Sequence, residues 1–202
     1  MTDPRVDILE KTVCYAGFFR LKRYRLRHRL FSGAWSHTLV REVFERGHAA
    51  AVLPYDPVRD QVVLIEQFRI GALQAPGGPW LLEIVAGVLD PGETPEEVIR
   101  REAIEESGCP LQEIVPICEY LVSPGGSTER IALFCGKVDA SQADGTHGLA
   151  EEGEDIRVEV MATDAAMAHL HTGRINAAAP IIALQWLLLN RDQLRRRWGA
   201  LR

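Results

Sequence analysis

Three glutamates, Glu102, Glu105 and Glu106, are the residues of this chain whose type and spacing best suit chemistry. Separations of three and four residues put them on one face of a helix. Val98, Ile99 and Cys109 fall on that same face, whereas Glu97, Arg100, Arg101, Ile104 and Ser107 fall on the other, which is mostly polar. A helix with solvated charges keeps its acids away from its apolar stripe; here the acids interleave with the stripe. Like charges on a half-buried face repel one another and resist desolvation unless something positive joins them. Oxygen ligands suit a hard divalent cation, and Mg²⁺ is typically held by one or two carboxylates together with substrate phosphates. The plainer alternative is a surface helix whose acids pair with Arg100 and Arg101.

The elements around the acids are well marked. Thr94 is an N-cap, Pro95 suits the first helical position, and Glu97 completes a capping box three residues after the cap. Gly108 is a left-handed terminator. These signals predict a helix from Pro95 to Ser107, entered through the tight loop Leu89 to Glu93.

The wider spacing is more specific. Gly87, five residues, Glu93, seven residues, Arg101-Glu102, an apolar residue, any residue, Glu105-Glu106, any residue, Gly108 and an apolar residue follow in order. This pattern is similar to the signature of the Nudix hydrolases. Fixed positions at roughly 7% usage each make a chance match on the order of 10⁻⁸ per start site. The resemblance implies an α/β fold, an α/β/α sandwich with a mixed sheet, and Mg²⁺-assisted cleavage of a nucleoside diphosphate linked to another group. It also implies that Glu102, Glu105, Glu106 and the carbonyl of Ala86 hold two or three Mg²⁺ ions, or Mn²⁺, with Glu93 and Arg101 as an orienting pair.

Composition bounds the rest. With 47% hydrophobic and 25% charged residues, the chain reads as an ordinary globular protein with enough length for a real core. A formal charge of −5 gives no reason to expect nucleic acid or an acidic membrane as partner. Cys14, Cys109, Cys118 and Cys135 are scattered and lie in apolar contexts, so buried free thiols are expected rather than a zinc site or disulfides. The N-terminus lacks an apolar signal core, and the run Ile181 to Leu189 is too short to span a bilayer, which leads to the expectation of a cytoplasmic protein.

Along the chain, residues 1–10 are polar and expected to fray. Tyr24, Leu26, His28 and Leu30 alternate with Arg23, Arg25, Arg27 and Arg29, a period of two that predicts a half-exposed strand, its basics discouraging edge aggregation. Trp35 to Phe44 reads as its antiparallel partner. Residues 1–45 are therefore assigned to an N-terminal β-stranded dimerisation region and residues 46–202 to the hydrolase domain. Within the latter, strands are expected at His48–Leu53, Gln61–Phe68, Trp80–Ala86, Gln112–Val122, Ile131–Val138 and Ile156–Met161. A polar loop covers Asp139 to Asp155. Thr163 is expected to cap a short helix to His171, and a last helix runs from Ala177 to about Arg197.

Within the superfamily, several stretches resemble the bacterial ADP-ribose pyrophosphatases: Phe18-Phe19, Arg41-Glu42, Glu45 to Ala50, Leu53 to Asp60, Ile65 to Arg69, Ser123 to Arg130 and Glu152 to Ile156. The resemblance runs from Tyr15 to Trp186. It implies a homodimer with exchanged N-terminal strands, Phe18 stacked on adenine, and Arg41, Arg69 and Glu129 in contact with ADP-ribose. It places the general base at Glu154, with Glu152 as fallback. The family often has Asn where this chain has Gly153. Hydrolysis of another nucleoside diphosphate sugar, such as GDP-mannose, is the alternative. A ligand sensor of the same fold would be expected to lack one of the four box carboxylates, and all are present; a nucleic-acid binder is suggested only by the basic strands.

Overall fold

A computed structural model describes residues 3–201, and two compact units divide them. The first comprises residues 3–48 and 121–130, the second residues 49–120 and 131–201. In the first, β1 (Val6–Ala16), β2 (Arg20–His28) and β3 (Leu39–Glu45) form an antiparallel sheet in the order β1-β2-β3. Pairing reaches back to Val6, opposite His28, so the second half of the segment expected to fray is strand. The basic strand β2 is central rather than an edge. Its basics are balanced across the sheet instead: Arg25 pairs with Glu10 (3.0 Å), Arg27 with Asp7 (2.8 Å), and Lys22 with Glu45. The 121–130 segment joins this unit where Phe44 N–H donates to the Gly126 carbonyl (2.8 Å).

The second unit is built on a mixed sheet. Its strands are β4 (Ala49–Asp56), β5 (Gln61–Phe68), β6 (Trp80–Glu83), β7 (Val85–Val88), β8 (Ile114–Leu121), β9 (Arg130–Lys137), β10 (Thr146–His147) and β11 (Ile156–Ala162). The order is β10-β11-β5-β4-β9-β8, with β6 on β5 and β7 on β4. Strands β4 and β9 pair in parallel, which makes the sheet mixed. Helix α1 (Pro95–Ser107) covers one face, and α2 (Thr163–Thr172) and α3 (Ala178–Arg197) belong to the other. Strand β4, buried along its whole length, feeds both cores. Ala50 and Val52 pack with Val98, Ile99 and Ala103 of α1, while Ala51 and Leu53 pack with Ala183, Leu184 and Leu187 of α3.

Several expectations change. Trp80 to Ala86 is two strands, because the chain leaves β5 at Ile84 and continues against β4. The 139–155 loop contains β10, paired with β11. Thr163 does not cap α2; it is buried inside the helix, and its hydroxyl bonds to Asp60 (3.0 Å to O, 3.1 Å to Oδ1). Cys109 and Cys135 are buried free thiols, but Cys14 and Cys118 are exposed. Among the described residues no helix is long and apolar enough to cross a membrane.

Asp60 ties the β4–β5 turn to both C-terminal helices. It holds φ 58°, a left-handed conformation that Asp tolerates better than most residues. Its carboxylate accepts from Tyr55 Oη (2.7 Å), Arg191 Nε (2.9 Å) and Thr163, with Arg195 at 3.4 Å. Burial works against its charge, and the Arg191 guanidinium and Tyr55 hydroxyl outweigh it, holding the carboxyl below its usual value. Asp60→Ala strands Arg191 and Tyr55 and should cost roughly 3 kcal/mol in urea unfolding, the scale for breaking a largely buried pair. Asp60→Asn, which keeps an acceptor and the turn conformation, should cost less.

Candidate active site

Helix α1 begins and ends as its sequence dictates. Thr94 Oγ1 accepts from Glu97 N–H (3.3 Å), and Glu97 accepts from Thr94 N–H (2.8 Å). Gly108 closes the helix at φ 66°. The buried residues are Val98, Ile99, Ala103, Glu106 and Ser107. Ser107, expected on the polar side, is inside because its hydroxyl donates back to the Ala103 carbonyl (2.6 Å).

Glu106 is the deepest acid of the helix, 2% exposed. Its Oε2 accepts from Ala86 N–H on β7 (2.9 Å). Burial pushes its carboxyl up to about 8, helped by the negative charges of Glu102 and Glu154, against the pull of Ala86 N–H and Arg69. Burial likewise raises Glu102 to about 6, with Glu105 and Glu154 adding to the rise and Arg101 opposing it. Glu102 also explains Gly87: a Cβ there would overlap the Glu102 carboxyl. Glycine at this strand position lets the acid lie directly against the backbone.

Arg101 is the cation among these acids. Its Nη1 meets Glu102 (2.7 Å) and Glu105 (3.2 Å), and Nη2 lies 3.6 Å from Glu93. Glu93 also accepts from Asp90 N–H (3.0 Å), bracing the entry loop. Arg100 takes no part, for it donates to the Leu111 carbonyl (2.9 Å). Among the described residues no three His, Cys, Asp or Glu side chains converge as a metal centre. The donor set nonetheless fits a hard divalent ion. It is all oxygen, it is partly desolvated, and its raised carboxyls need more positive charge than one guanidinium supplies.

The acidic loop is moored to this helix, since Gly148 N–H donates to the Glu105 carbonyl (3.1 Å). Glu154 is half-buried and accepts from Leu149 N–H (3.2 Å), whereas Glu152 is exposed. On the sheet side Arg69 donates from Nε to Glu83 (2.7 Å) and is near enough to Glu106 to pull its carboxyl down. Glu83 was not among the residues singled out by spacing, although it is the only acid in the Trp80–Ala86 segment.

The second unit therefore gathers Arg69, Ala86, Glu93, Arg101, Glu102, Glu105, Glu106 and Glu154. The remaining candidates lie in the first unit. Phe18 is 96% exposed, with its ring edge-on to Phe19 (4.8 Å). Arg41 is exposed and donates to the Val40 carbonyl (2.8 Å). Glu129 is buried against Arg46 (2.9 Å), a partner that sequence reasoning missed.

A family model described as the NUDIX domain matches residues 45–184. The ADP-ribose pyrophosphatase of Escherichia coli strain K12 is 52% identical over 194 residues, covering 96% of this chain and 93% of that protein. The Haemophilus influenzae ADP-ribose pyrophosphatase is 45% identical, covering 96% and 90%. The GDP-mannose pyrophosphatase of Pectobacterium atrosepticum is 35% identical, covering 94% and 96%. Among solved structures, an ADP compounds hydrolase superposes with a TM-score of 0.73 at 19% identity, over 96% of this chain and 99% of that one, a likeness of fold.

Buried carboxyls make metal-free stability depend on pH. Between the ordinary value of 4.5 and about 8, native Glu106 binds more protons than unfolded Glu106, so stability falls as pH rises through that window. In chelator, the melting temperature should drop between pH 5 and pH 8, and Glu106→Gln should flatten that slope. A wild-type profile that is level or rising would contradict the burial argument.

Proposed function

Since this chain belongs to the NUDIX family, we propose that it hydrolyses the diphosphate bond of ADP-ribose, releasing AMP and ribose 5-phosphate. The observation that carries the reading is the carboxylate cluster on α1, held partly out of water, in a chain 52% identical over nearly its whole length to an ADP-ribose pyrophosphatase. The GDP-mannose pyrophosphatase match is weaker, at 35% identity, which favours ADP-ribose over GDP-mannose.

Glu102, Glu105 and Glu106, with the Ala86 carbonyl, would hold Mg²⁺. Bound there, the ion would neutralise diphosphate oxygens and acidify a bound water. The protein's own groups do the rest. Arg101 holds Glu102 and Glu105 in place and is itself steadied by Glu93. Arg69, braced by Glu83, offers a planar fork to phosphate oxygens. A carboxylate of the 151–155 loop takes the water proton. Glu154 has the nearer position, since its charge reaches both Glu102 and Glu106. A second reading gives Glu154 to the cation and the proton to Glu152. The same charge coupling favours it, because a carboxylate within the cluster is placed to be a further ligand.

The first unit supports a homodimer with exchanged N-terminal strands. Val13, Tyr15, Phe18, Phe31 and Val40 are exposed apolar side chains that a partner protomer could cover. In such a dimer Phe18, Arg41 and Glu129 would serve the adenosine end of the substrate. The free thiols fit a reducing cytoplasm.

Purified protein with ADP-ribose and Mg²⁺ should release AMP, chelator should abolish release, and GDP-mannose should be turned over at least about tenfold less efficiently. No AMP from ADP-ribose would remove this assignment. Glu152→Gln and Glu154→Gln separate the two base readings. The base variant should lose roughly 100-fold or more in kcat with its Mg²⁺ requirement unchanged. A ligand variant should need more Mg²⁺.

A further inference from the structure

Strand β5 alternates between the two cores, and its α1 side is more than a floor. Val63 and Ile65 pack with Val98, Ile99 and Ala103, whereas Val62 and Leu64 face the α3 side. By the same period of two, Gln67 and Arg69 continue the α1 side toward the carboxylates. Arg69 lies just past the strand but keeps extended backbone (φ −128°, ψ 109°), so the alternation reaches it. Across the pairing, Ile65 is opposite Glu83 and Gln67 is opposite Leu81. The face thus runs from the apolar core at Ile65, opposite Glu83, through Gln67 to Arg69, whose guanidinium reaches back to Glu83.

Gln67 is 5% exposed, and its Nε2 is buried with no hydrogen-bond partner among the described residues. A buried amide nitrogen left unpaired is costly, and nearly all such groups in native proteins have a partner. The nearest acid across β6, Glu83, is already taken by Arg69 Nε. Trp198 Nε1, also unpaired, is in the opposite core and has no bearing on this face of the sheet.

The geometry points to Gln67 as a substrate-binding residue whose amide Nε2–H donates to a phosphoryl oxygen of the bound diphosphate. This rests on the diphosphate hydrolase reading. The donor lies one alternate position deeper than Arg69, the side chain that offers charge to the same phosphates. An uncharged donor suits that depth. It bonds a phosphoryl oxygen without burying a cation beside Arg69, whose own charge already pulls on Glu106. An oxygen that keeps its charge through the reaction would be bound alike before and during cleavage, so the contact acts on KM more than on kcat.

The test uses Gln67→Met, of matching length and shape, with Gln67→Leu as a second variant, in the full-length enzyme. Wild-type AMP release from ADP-ribose is measured alongside; its failure would count against the hydrolase reading, while the variant-to-wild-type ratio reports on Gln67 alone. Loss of a hydrogen bond to a charged oxygen should lower kcat/KM roughly 10- to 100-fold, mainly through KM. The Mg²⁺ concentration for half-maximal rate should stay unchanged. Melting temperature should be unchanged or raised, since an apolar group of the same shape removes an unpaired buried amide. A kcat/KM within about twofold of wild type would overturn the inference. So would a fall in melting temperature in both variants, which would mean the amide is satisfied within the protein, or a shifted Mg²⁺ requirement.

Discussion

Negative charge held out of water is the constraint on which this structure depends. Glu106 is almost wholly buried and Glu102 largely so, and both carboxyls are driven upward by that burial. An isolated carboxylate in such surroundings would simply stay protonated. Each has a polar anchor that opposes this, Ala86 N–H for Glu106 and Arg101 for Glu102, but burial outweighs both anchors, and without a cation Glu106 keeps its proton through neutral pH. The helix therefore presents acids with a standing demand for positive charge. Arg101 meets part of it, and being tethered to Glu93 as well, it stays at the rim of the cluster.

Everything around α1 serves to keep that demand aimed in one direction. The capping box and Gly108 fix both ends of the helix, so the register of the acids cannot drift. Gly87 brings β7 close enough for the Glu102 carboxyl to lie against its backbone. The break at Ile84 hands the chain from β5 to β4, and with it the Ala86 N–H to Glu106. From the far side, the Gly148–Glu105 hydrogen bond moors the acidic loop to the helix. Sheet, helix and loop are coupled through backbone groups, which hold position better than long side chains do.

Local signals were the legible part of the sequence. The boundaries of α1 follow from Thr94, Pro95, Glu97 and Gly108, and the strand at Gln61–Phe68 from its apolar run between turns. What escaped was settled by distant partners. Thr163 has the chemistry of a cap, yet Asp60, far away in sequence, claims its hydroxyl. Ser107 looks solvent-facing until its bond to Ala103 is known. The basic strand β2 looks like a protected edge because its acidic partners, Asp7, Glu10 and Glu45, belong to other strands. Of the carboxylate site, spacing supplied Glu102, Glu105 and Glu106, whereas Arg101, which helical spacing put on the opposite side, was marked only by the Nudix resemblance and reaches Glu102 and Glu105. Glu83 stayed hidden because a lone acid in a short strand carries no periodic mark. Cross-strand pairing brought it to Arg69.

The division of the candidate residues between two units bears on specificity. Under the proposed function, the carboxylates, Arg101 and Arg69 would act on features that every nucleoside diphosphate sugar shares, a diphosphate and its charge. They would not by themselves separate ADP-ribose from GDP-mannose. Discrimination requires groups that read a base or a sugar, and Phe18, exposed at the β1–β2 turn, is of that kind. An aromatic face prefers bases by stacking, but only weakly chooses among purines. Buried hydrogen-bonding groups choose more sharply, because a wrong substrate leaves them unpaired. By that reasoning Glu129, buried and paired with the partly exposed Arg46, is the better place in the first unit to look for selectivity.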